Sequence, residues 1–123
     1  MKFLIIEDEP LIQKSLRKML ETQGHQVKAT AKGREAIEML KCENFDRIIC
    51  DLMLTDITGF DVLEEFRSHY GSNDIPNKFI IITAYCSDQV LHKANTYGCK
   101  VINKPFKNIT QTIKDIGQNE IQI

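Results

Sequence analysis

Short apolar runs alternate along the chain with stretches in which apolar residues recur every three or four positions. The runs are KFLII (2–6), QVKAT (26–30), RIICD (47–51), KFIIIT (78–83) and KVIN (100–103). Their length and branched content predict strands. Three carry unbroken apolar cores rather than strict alternation, as expected when both faces of a sheet are covered. QVKAT holds only one large apolar residue and suits an edge. Between the runs, shared helical faces are formed by Ile12, Leu16, Met19 and Leu20, by Ala36, Ile37 and Leu40, and by Phe60, Leu63, Phe66 and Tyr70. Val90, Ala94 and Tyr97 form a fourth such face, and Ile109, Ile113 and Ile116 a fifth. These predict five helices, with Pro10 suited to the first turn of the first and Gly117 placed to end the fifth. GSNDIPN (71–77) reads as a loop. Five strand–helix units predict an α/β fold: a doubly wound, five-stranded parallel sheet of order 2-1-3-4-5 with five flanking helices.

Composition narrows the classes of function. The 123 residues are the size of one domain (1–123), with 42% hydrophobic and 27% charged residues, as in globular proteins. Net charge is −1 and no block of Lys or Arg stands out, which gives no support to direct nucleic-acid or membrane binding. The four cysteines (42, 50, 86 and 99) and three histidines (25, 69 and 92) lack zinc spacing, so a reduced, cytoplasmic chain is expected. The N-terminal apolar run is too short for a signal peptide, and no run reaches membrane-spanning length.

The strand ends carry the chemistry. In open α/β sheets, ligands sit beyond the carboxyl ends of the strands, where strand order reverses. The first strand runs into Glu7-Asp8, the third ends in Asp51, the fourth in Thr83-Ala84, and the fifth runs into Lys104-Pro105. In 2-1-3-4-5 order these groups converge on one edge. Two carboxylates about 4 Å apart repel by about 4 kcal/mol at an effective dielectric near 20, and one lysine cannot neutralise three acids. A hard divalent cation with oxygen ligands can, and magnesium suits that set. A carboxylate beside such an ion could act as a nucleophile toward a phosphoryl group, with Thr83 and Lys104 on the phosphoryl oxygens. Taken singly, each residue has a plainer role: Glu9 reads as a helix cap or turn residue, and Asp46 and Asp56 as loop and cap residues. The combination carries the signal.

LIIEDEP, DLMLTDITGFDVL with a glycine eight residues after its first Asp, IIITA and NKPF together resemble the receiver domain of two-component response regulators, over essentially the whole chain. The resemblance implies a phosphorylation-activated switch and not a dedicated enzyme: the module catalyses its own phosphotransfer. Asp51 would accept a phosphoryl group from a sensor histidine kinase or a histidine phosphotransfer protein. Glu7, Asp8, Asp51 and the backbone carbonyl of Met53 would hold Mg2+, while Thr83, the Ala84 N–H and Lys104 would meet the phosphoryl oxygens. A downstream protein would read the face of the fourth helix, fifth strand and fifth helix (roughly 86–116). Both a monomer and a phosphorylation-dependent dimer remain open. The resemblance also implies a cis Lys104–Pro105 bond. Val101 stands where the family usually has an aromatic switch residue, and the segment before Lys104 is one residue shorter than usual. Thr55 and Thr58 replace a frequent proline and acid. Met53 and Tyr85 stand at positions that tune phosphoryl lifetime. After the fifth predicted helix only QNEIQI follows, so no output domain is expected within these residues. The alternative is a pseudo-receiver that binds partners without phosphorylation.

Overall fold

In a computed structural model, residues 1–84 and 86–104 are described. The elements follow the order β1 (Lys2–Ile6), α1 (Pro10–Thr22), β2 (Gln26–Thr30), α2 (Gly33–Cys42), β3 (Arg47–Asp51), α3 (Gly59–Tyr70), a 3-10 turn (Ser72–Asp74), α4 (Ile75–Lys78), β4 (Phe79–Thr83), α5 (Asp88–Tyr97) and β5 (Lys100–Asn103). All five strands are parallel, in the order β2-β1-β3-β4-β5. The predicted edge position of β2 holds. The fifth predicted helix, Tyr85 and the Lys104–Pro105 bond lie outside the described residues.

The unbroken apolar runs resolve into two interleaved faces, because successive strand side chains point to opposite sides. Leu4, Ile6, Ile48, Cys50, Phe79 and Ile81 face one way and are covered by Ala36 and Leu40 of α2, by Phe60, Val62, Leu63 and Phe66 of α3, and by Ala94 of α5. Phe3, Ile5, Ile49, Ile80 and Ile82 face the other way, against Leu16 and Leu20 of α1. Each fully buried Leu, Ile, Val or Phe among them stabilises the fold by about 1.5–3 kcal/mol relative to exposure. β3 and β4 are buried at every position, and the edge strand β2 only at Thr30.

Local signals set the element ends. Pro10 opens α1, and Gly98 closes α5 in the left-handed region at φ 79°. Thr58, the departure at the usual acid position, forms a capping box. Its Oγ1 accepts from the Asp61 N–H (3.3 Å), and the Asp61 carboxylate accepts from the Thr58 N–H (2.9 Å). Segment 71–77 differs from its reading as a loop, since it holds the 3-10 turn and the single turn α4. The reason is Ile75, which is fully buried in the core beside the α3 residues, with Pro76 suited to a first helical turn.

Candidate functional site

Parallel register brings the strand ends level. Ile6 pairs with Cys50, Asp51 with Ile82, and Thr83 with Asn103, so the next residues of β1 and β5 emerge beside Asp51. Backbone bonds continue the alignment past the strands. The Glu7 N–H donates to the Thr30 carbonyl (3.0 Å), Leu52 N–H to Ile82 (2.9 Å) and Lys104 N–H to Thr83 (2.8 Å). Glu7 and Thr83 are 0% and Asp51 4% exposed, which demands partners for the two carboxylates.

Lys104 supplies the partner. Its Nζ lies 3.1 Å from both Glu7 carboxylate oxygens and 3.1 Å from Asp51 Oδ2. Asp51 Oδ1 accepts from the Met53 N–H (3.2 Å), and Glu7 Oε1 from the Glu9 N–H (3.1 Å). The Gln13 side chain donates to the Glu7 carbonyl (2.9 Å), tying α1 to the same corner. Glu9, read from sequence as a cap or turn residue, stands at the N-cap position of α1 without a side-chain cap bond; its Oε1 reaches to 3.6 Å from Lys104 Nζ. Asp8, Glu9, Pro10, Asp51, Met53, Ala84 and Lys104 line a cleft of about 280 Å³.

Among the described residues, the electrostatics are those of too many acids around one cation. Burial, and then the Asp51 charge, push the Glu7 carboxyl up to about 7 despite its bonds to Lys104. Burial raises Asp51 as well, against the pull of Lys104 and the Met53 N–H. Burial works against the Lys104 charge, but the bonds to Glu7 and Asp51 outweigh it and raise the ammonium pKa. Glu7, Asp8 and Asp51 can each present one oxygen within 4.8 Å of the others. Three hard oxygen donors, a charge excess and an open cleft fit a magnesium ion. The residues expected at the site therefore assemble on one edge, with Thr83 buried at its base and the Met53 side chain exposed on its rim. Val101 is half-buried on β5, opposite Ile81.

Residues 3–115 match the response regulator receiver domain. The chain belongs to that family. It is 32% identical over 104 residues to the response regulator SaeR of Staphylococcus aureus, covering 84% of this chain and 43% of that protein. It is 30% identical over 103 residues to the aerobic respiration control sensor protein ArcB of Escherichia coli, covering 84% of this chain and 13% of that one. The chain thus spans less than half the length of these curated relatives. A CheY-like receiver domain from Methanospirillum hungatei superposes with a TM-score of 0.84 at 26% identity, covering 94% of this chain and 89% of that one. The receiver fold and its place in two-component signal transduction follow. Among the described residues no helix is long and apolar enough to cross a membrane.

Proposed function

We propose that the chain is a single receiver domain (1–123) that accepts a phosphoryl group on Asp51 in a Mg2+-dependent reaction. The observation that carries this reading is the bridging of the buried Asp51 and Glu7 carboxylates by one lysine, Lys104, with Asp8 beside them. Glu7, Asp8, Asp51 and the Met53 carbonyl are the proposed ligands of the ion. When bound, Mg2+ would offset the charge of the acids and of the phosphoryl oxygens.

Lys104 and the Met53 N–H hold the Asp51 carboxylate in place, and Lys104 favours its ionised, nucleophilic form. A carboxylate oxygen attacks the phosphorus of a phosphohistidine on a sensor kinase or phosphotransfer protein. The O–P bond forms as the P–N bond breaks, and the ring nitrogen keeps the electron pair, so a protonated phosphohistidine leaves as neutral imidazole. Lys104 then exchanges a carboxylate for a phosphoryl oxygen, while the Thr83 hydroxyl and Ala84 N–H take the remaining oxygens. Thr83 and Lys104 are joined through the 2.8 Å backbone bond at the ends of β4 and β5, which offers a route to the α5–β5 face for a protein partner in the cytoplasm. Val101 stands in that route at the position where the family usually has an aromatic residue.

The test is reductive trapping. Borohydride converts an aspartyl phosphate to homoserine, so peptide mapping after exposure to a phosphohistidine donor should find homoserine at position 51, and none in Asp51→Asn. Homoserine at position 8 instead would overturn the assignment.

A further inference from the structure

The segment between β3 and α3 carries Met53, and the structure shows how it is held. At its ends, Met53 bridges to Thr58, and the Gly59 N–H donates to the Leu52 carbonyl (2.8 Å). At its apex, Asp56 reaches to a different helix. Asp56 Oδ1 accepts from the Gly33 N–H (2.9 Å) and the Ile57 N–H (3.0 Å), and Oδ2 accepts from the Arg34 N–H (2.9 Å). Gly33 and Arg34 are the first residues of α2, whose own N-cap, Lys32, makes no side-chain cap bond. Asp56 therefore caps α2 from 22 and 23 residues away, a position where a carboxylate is favoured by the helix dipole.

A second observation points to the same clamp. A Cβ built on Gly33 would lie 2.5 Å from Ile57 Cγ1 and 3.0 Å from Leu54 Cδ1, so the bare Cα seats both loop side chains. The loop is thus fixed to α2 by a carboxylate and by two apolar contacts, and its other side carries the Met53 N–H bonded to Asp51 Oδ1.

We infer that Asp56 is a positioning residue for metal binding: by clamping segment 52–58 to α2 it sets the Met53 backbone and the Asp51 carboxylate for Mg2+. This rests on the reading that Asp51 and the Met53 carbonyl are ligands of the ion. Coupling between sites is reciprocal, so Mg2+ in the cleft should in turn tighten the Asp56 bonds to α2.

The test is calorimetric titration of Mg2+ into the full chain and into Asp56→Ala and Asp56→Asn, with urea unfolding beside it. Removing the support of a ligand typically weakens metal binding by 10-fold or more, so Asp56→Ala should bind Mg2+ about 10-fold more weakly. Asp56→Asn, which keeps an acceptor oxygen, should lose less. In the parent chain, Mg2+ should slow deuterium exchange at the Gly33 and Arg34 amides. An Asp56→Ala protein that is less stable but binds Mg2+ like the parent would reduce Asp56 to a helix cap and overturn the inference. If Asp56→Ala does not fold, Asp56→Asn and the exchange experiment decide in the same way. A parent chain that binds no Mg2+ would overturn the underlying reading of the site instead.

Discussion

Lys104→Ala should destabilise the metal-free protein by about 3–5 kcal/mol at pH 8, the scale for removing one partner of a buried ion pair. Glu7 and Asp51 would be left facing each other below the surface without the ammonium that bridges them. The pH dependence distinguishes this from lost packing. Because the Glu7 pKa is raised from 4.5 to about 7, the stability tied to its protonation is full below about pH 4.5 and fades as pH rises through 7. Without Lys104 the two acids should hold their protons to still higher pH. At pH 5 Glu7 is neutral with or without the lysine, so the loss there should be much smaller. Urea unfolding in chelator at pH 5 and pH 8 measures both values. Equal losses at the two pH values would mean that the lysine's contribution does not run through the Glu7 charge.

Gly59→Ala should disable phosphorylation without touching a reacting group. Gly59 opens α3, where an added Cβ would stand 2.7 Å from the Asp51 carbonyl oxygen and 3.0 Å from Leu52 Cα. Both are backbone atoms, which cannot swing aside as a side-chain tip can. Either α3 lifts from the sheet or the end of β3 moves, and overpacking of this kind costs about 1–3 kcal/mol. A shift of about 1 Å in a reacting group can cost on the order of 100-fold in rate, so phosphoryl uptake should fall far more than stability does. Thermal unfolding and the initial rate of adduct formation, on the same preparation, check this. A variant with the parent rate would show that α3 gives way and Asp51 stays put.

The strands, the helices α1, α2, α3 and α5, and the edge on which the polar strand-end residues gather were legible because each rests on a local signal. β3 and β4 are short, apolar and buried throughout, and the polar groups ending β1, β3, β4 and β5 stand out against them. Strand order then brought together residues far apart in sequence. What stayed hidden depends on partners that local pattern does not reveal. Asp56 reads as a cap residue, but nothing near it in sequence says that the capped helix is α2 and not the adjacent α3. Glu9 reads as a cap or turn residue, and its approach to Lys104 exists only once β1 and β5 are aligned. In segment 71–77 the polar composition masked Ile75, whose burial folds the stretch into helical turns. Thr58 looked like a departure until its reciprocal bonds with Asp61 explained it.

The most direct measurement of the central claim is intact mass after incubation with a small phosphodonor and Mg2+, alongside Asp51→Asn and a chelator control. The account predicts one phosphoryl adduct on the parent chain, absent from the variant and absent without metal. An adduct that persists in Asp51→Asn or in chelator, or a folded parent chain that takes up no phosphoryl group, would contradict it.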